Sequence, residues 1–213
     1  MQIKKNKANS KSNKASASKN GECIGLDITP QAIHTVLLSG RSLNQIRLEK
    51  YAITPLPPHI VDDSGIEDHD QLVSYLQQAM RQLGSSCKNI TVSIPGSLVS
   101  LQTLQYDPRQ TELDVEEFAE FEVSQTSSLE SSSYDYYVLP ETLDSHPQTV
   151  VVASCNRDDV DLRLDVFGAA NIVPKQMDID TLAIRSGHSV CGHIPAGLSY
   201  DNCHDCPRQP YSL

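Results

Sequence analysis

Asp27 closes the run Cys23-Ile24-Gly25-Leu26, two residues before Thr29-Pro30, and a second apolar run from Ile33 to Leu38 follows directly. The pattern predicts two short strands joined by a tight turn, with a carboxylate at the end of the first. A carboxylate so placed can hold a metal-bound water while N–H groups of the turn face phosphate oxygens. The competing reading is an Asp that ends a strand and hydrogen-bonds its own turn. Pro30 favours the second, because it removes a backbone donor and fixes φ.

Other residues invite chemistry at different sites. Asp178 and Asp180 alternate with Met177 and Ile179, which predicts two carboxylates on one strand face, either a second acidic site or solvated edge charges. Three of the six Cys fall between Cys191 and Cys206. Cys203 and Cys206, with Cys191, His193 and His204, supply enough soft ligands for tetrahedral zinc. Their surroundings, Gly187 to Leu213, are rich in Gly, Pro, His and Cys and have neither helical nor strand periodicity. That points instead to an aberrant or disordered end of the chain, from early termination or a change of reading frame, with no metal. Ser97 and Ser154 stand at strand ends outside any G-x-S-x-G elbow, so hydrolase chemistry is not expected.

The elements that must position these residues follow from pattern and composition. A hydrophobic content of 38% and a charged content of 21% suit a globular chain of 213 residues, long enough for a sizeable core. Residues 1–20 carry six Lys and no acid and lack the apolar groups to offset ordering entropy, which predicts a disordered basic tail. Removing that tail from a whole-chain charge of −10 leaves the rest near −16, and nucleic acid is not an expected partner. The tail lacks the apolar stretch of a secretory signal and no run reaches bilayer length, so a cytoplasmic protein is expected.

Ile46 to Ile53 predicts a third strand, stopped by the Pro-rich Thr54 to Pro58. Asp68 and Gln71 form a capping-box pattern ahead of Leu72, Val73, Leu76, Met80 and Leu83, which share one helical face until Gly84. Asn89 to Ile94 is a buried strand, and Leu98 to Tyr106 opens a strand-rich region. Thr111 is the expected cap of a helix whose apolar side is Val115, Phe118, Ala119 and Phe121. Tyr134 to Leu139 and Thr149 to Ala153 predict two strands, Asn156 caps a helix bearing Val160, Leu164 and Phe167, and Ile172 to Ile179 is a last strand. The order fits a mixed α/β core with a small α+β module inserted.

Five segments together resemble the PilM family of cytoplasmic actin-like proteins in type IV pilus assembly. They are Gly25-Leu26-Asp27-Ile28, Leu48 to Pro58, Val92 to Ser97, Val152 to Asn156 and Met177 to Ala183. The resemblance covers Glu22 to Ile184. It implies one actin-like, ribonuclease H-like lobe, with a core from 21–94 and 151–184, an inserted α+β subdomain of the FtsA type over 95–150, and residues 185–213 outside it. It makes Asp27 and Thr29 the candidate cofactor-binding residues, with ATP and magnesium as the family's ligands. The family's phosphate loop continues from Asp-Ile with Gly, Ser residues and Ile-Lys, where this chain has Thr29, Pro30, Gln31, Ala32, Ile33 and His34. One lobe also lacks the second half that completes a nucleotide site. A degenerate ATPase lobe without a tightly held cofactor is expected.

The role that remains by resemblance is binding. The family engages the cytoplasmic N-terminal segment of the inner-membrane protein PilN in a groove between core and insertion, which would hold this chain at the cytoplasmic face of the inner membrane within the pilus assembly complex. Leu98 to Tyr106 and the Phe118/Phe121 helix are the candidate walls, with apolar core as the competing reading of the two aromatics. Two alternatives stand beside it: a truncated, nonfunctional product, and an ATP-binding protein completed by a separately encoded second half.

Overall fold

Polar and apolar residues alternate along Glu22–Ile28 (β1), which buries Ile24, Leu26 and Ile28 on one face and leaves Cys23, Gly25 and Asp27 on the other. The computed structural model describes residues 21–183 except 43–44, 63–64, 140–141 and 144–145. The expected tails, 1–20 and 185–213, and the cluster of Cys191, His193, Cys203, His204 and Cys206 lie outside the described residues.

β1 pairs antiparallel with Ala32–Ser39 (β2), which pairs antiparallel with Arg47–Pro55 (β3). On the other side of β1, Ile90–Ile94 (β4) runs parallel, and Gln176–Ile179 (β8) runs parallel beyond it. The resulting order, β3-β2-β1-β4-β8, is that of an actin-like lobe, as expected. His69–Leu83 (α1) and Arg157–Ala169 (α3) cover one face. Leu72, Leu76, Ala79 and Leu83 of α1 and Val166 and Phe167 of α3 close on Ile24, Leu26, Ile33 and Val92 to make the main core. Asp68 caps α1 by accepting the N–H of Gln71 at 3.0 Å, and Gly84 ends the helix in the left-handed region at φ 59°. The Gln71 side chain returns to the Asp68 carboxylate at 2.6 Å.

A second sheet is inserted between β4 and α3. Val99–Tyr106 (β5), Ser132–Val138 (β6) and Gln148–Asn156 (β7) pair antiparallel in the order β5-β7-β6, and Val115–Thr126 (α2) covers one face. Ala119 and Val123 of α2 bury themselves against Tyr106, Val150 and Val152. The chain crosses between the sheets at the short 3-10 turn Gly96–Leu98 and at the Asn156–Arg157 junction, where Asn156 caps α3 through the N–H of Asp158.

Three sequence expectations are corrected. The cap of α2 is Asp114, not Thr111. Asp114 and Glu117 satisfy each other's backbone N–H groups in a reciprocal box, whereas the Thr111 hydroxyl accepts only the nearby Leu113 N–H at 3.2 Å. Phe121 is 51% exposed, because the buried stripe runs through Ala119 and Val123, four residues apart, and Phe121 points off it. The last strand begins at Gln176 rather than Ile172: Pro174 offers no ladder donor, and the first bond back to β4 is Lys175 N–H to Ile90 C=O at 2.8 Å.

Candidate functional site

The β1–β2 turn brings the predicted carboxylate and hydroxyl together. Asp27 lies opposite His34 in register, on the sheet face away from the helices. Its carboxylate accepts a hydrogen bond from the Ser93 hydroxyl on β4, and His34 Nδ1 is 3.8 Å away. Thr29 is committed within the turn. Its N–H donates to the Ala32 C=O at 3.0 Å, its hydroxyl donates to the same carbonyl at 3.0 Å, and its Oγ1 accepts the Ala32 N–H at 3.2 Å. With Pro30 contributing no donor, this turn does not fit a triphosphate cradle, which needs several N–H groups turned outward. Among the described residues no group of three or more His, Cys, Asp or Glu could hold a metal ion.

The two predicted strand-end acids are not a pair. Asp180 opens the next helical turn and accepts the Gly96 N–H at 2.9 Å and the Thr181 N–H, tying the end of β8 to the crossing into the second sheet. Asp178 instead lines a groove of about 390 Å³ between the sheets. One wall of this groove is the face of the inserted sheet turned away from α2, where Val99 and Leu101 of β5, Val151 and Ala153 of β7, and Tyr137 of β6 lie. The other is made by Ile94, the β8 strand and Leu182, with Val160 of α3 between.

Part of the expected Leu98 to Tyr106 wall is therefore present, but Phe118 and Phe121 are not in the groove. Phe118 packs on Tyr106 with ring centroids 5.4 Å apart, within the inserted module's own core. Cys155 reaches the groove, and burial, with Asp159 second, pushes its thiol pKa up, which disfavours the thiolate. Ser154 stands beside it on β7, and Ser97 is in the 3-10 turn.

Arg163 of α3 gave no signal in the sequence. It is 4% exposed, its Nε has no hydrogen-bond partner among the described residues, and it borders a small cavity of about 90 Å³. Burial lowers its pKa, while Asp159, Asp180 and Asp27 oppose that shift. No ion pair to Arg163 is formed by the described residues; the three carboxylates offset part of the cost of burying its charge.

Two solved structures share this arrangement. A PilM–PilN type IV pilus biogenesis complex superposes with a TM-score of 0.63 at 18% identity, over 76% of this chain and 48% of that one. The cytoplasmic domain of EpsL, an inner-membrane component of the Vibrio cholerae type II secretion system, gives 0.50 at 14% identity, over 76% and 58%. At these identities the likeness is one of fold, and the chain spans about half the length of the structures it matches. A family model described as type IV pilus assembly protein PilM matches residues 25–201. That match runs past Ile184, where the sequence resemblance had set its end, and takes in Cys191 and His193. Because it covers most of the sequence, the chain belongs to the PilM family of type IV pilus assembly proteins.

Proposed function

We propose that the chain is a peptide-docking lobe of the pilus assembly machinery, which takes the cytoplasmic N-terminal segment of a PilN-like inner-membrane protein into the groove between its sheets. The observation that carries this reading is the groove itself, with an open apolar sheet face on one side and the β8 edge on the other. An extended peptide needs that combination, pockets for alternate side chains beside unpaired backbone. The PilM–PilN complex with the same fold supports it. Such a partner would hold the chain at the cytoplasmic face of the inner membrane; no described helix is long and apolar enough to cross a membrane.

Tight nucleotide binding is not part of the proposal. The turn after β1 closes on Thr29 and Ala32, and the chain spans only 48% of the PilM–PilN structure it matches. The test is fluorescence polarisation with a labelled N-terminal peptide of the PilN-like partner. Saturable binding is expected, lost on Leu101→Arg with the melting temperature retained. A cooperatively folded chain that does not bind the peptide would reject the role.

A second reading, a nonfunctional product that does not stay folded, draws on Leu48, Tyr51 and Ile53, all exposed along β3. A broad melt and aggregation in size-exclusion chromatography would favour it.

A further inference from the structure

Among the described residues the groove carries charge of one sign only. Its lining includes Asp135 on β6 and Asp178 on β8, one from each wall, and no described Lys, Arg or His. Among the described residues neither acid has a basic partner; Asp135 accepts the Tyr136 N–H at 2.9 Å and Asp178 the Ile179 N–H at 2.8 Å. Both belong to edge strands of their sheets, β6 in one and β8 in the other. An occupant of the cleft meets a carboxylate on each wall, Asp135 exposed and Asp178 half-buried. A purely apolar occupant would strip water from the half-buried Asp178 and return nothing. A cation would be drawn by two like charges with no opposite charge beside them among the described residues.

We propose that the segment seated in this groove is an apolar, extended stretch bearing a Lys or Arg side chain that is held between Asp135 and Asp178. The proposal rests on the peptide-docking reading and adds the chemistry by which the groove chooses its partner. The apolar wall of Val99, Leu101, Val151 and Ala153 supplies contact area for alternate side chains. The two acids fix register, because only one placement of the segment brings its cation to them. An acidic residue at the same place would meet two like charges, so the pair also rejects segments of similar hydrophobicity but the wrong charge.

The test uses the same labelled partner peptide, together with versions in which each Lys or Arg is replaced by Gln, against the chain and its Asp135→Asn, Asp178→Asn and doubly substituted variants at low and high salt. One Gln peptide is expected to bind about three- to tenfold more weakly, with a similar loss for each single Asn variant. The Gln peptide and the double variant should lose no more together than apart, and salt should weaken only the original pair. Asp178→Asn also alters the bond to Ile179, so a lower melting temperature there leaves the exposed Asp135→Asn to decide. If the peptide binds and neither the acids, its cations nor salt matter, the charge proposal is overturned while the docking reading stands. A tightly bound partner segment with no Lys or Arg overturns it equally. Absence of any peptide binding to the folded chain overturns the docking reading first.

Discussion

The Thr29 side chain closes the β1–β2 turn onto Ala32, accepting its N–H at 3.2 Å and donating to its carbonyl at 3.0 Å. A phosphate approaching this turn must displace those bonds to reach the N–H groups of Thr29 and Ala32, and Pro30 has none to offer. Magnesium ATP should therefore not be retained through gel filtration by the chain alone. Thr29→Gly with Pro30→Ser frees the Ala32 N–H and adds one more, and should raise phosphate affinity measurably by calorimetry. Tight ATP retention by the unaltered chain would reject this account of the turn.

Asp114 and Thr111 separate two candidate caps three residues apart. Asp114→Ala removes one half of a reciprocal box and should cost about 1 kcal/mol in urea unfolding. Thr111→Ala loses one bond in an exposed loop and should stay within about 0.5 kcal/mol. Equal losses in the two variants would contradict the assignment of the cap.

Leu76 and Leu101 are both apolar residues on regular elements, but Leu76 is fully buried whereas Leu101 is 43% exposed at the groove. Leu76→Ala leaves a cavity between α1 and the sheet and should cost about 2–5 kcal/mol. Leu101→Ala should cost much less, with its effect appearing in peptide affinity. Denaturant melts of both variants, paired with polarisation assays, check the contrast.

What the sequence revealed follows from how local each signal is. The strand ending near Asp27, the helical stripe of α1 and its Gly84 stop are each carried within one element; strand and stop appear as read, and the stripe keeps Leu72, Leu76 and Leu83 buried, with Val73 and Met80 partly so and Ala79 added. Phe121 misled because an aromatic next to an apolar stripe looks buried until the helix is docked. The groove was least legible: Leu101, Ala153 and Asp178 come from three strands spread over the chain, and only the pairing of β5 with β7 and the crossing back to β8 brings them to one cleft. Arg163 was illegible because its burial depends on docking: Asp159 stands four residues before it on α3, but Asp180 and Asp27 come from other elements.

Asp107, in the connection from β5 to α2, supplies a pH dependence whose sign can be worked out. Its carboxylate is buried and accepts the Arg109 N–H at 3.0 Å, Arg109 Nε at 2.9 Å, Arg109 Nη2 at 2.8 Å and Gln110 Nε2 at 3.1 Å. The Arg109 side chain, then its backbone N–H, holds the carboxyl well below the usual carboxylate range. A depressed folded-state pKa means that the unfolded chain binds a proton first as pH falls. The stabilisation is thus complete above the unfolded value of about 3.9 and drains away below it, towards the folded value. Asp107→Asn removes the charge at every pH, so its melting temperature should lie below that of the unaltered chain from pH 7 to pH 5, and the gap should narrow below about pH 4. Thermal melts of both proteins across that range test it; a gap that stays constant through acid would mean that Asp107 acts through its shape and neutral hydrogen bonds rather than its charge.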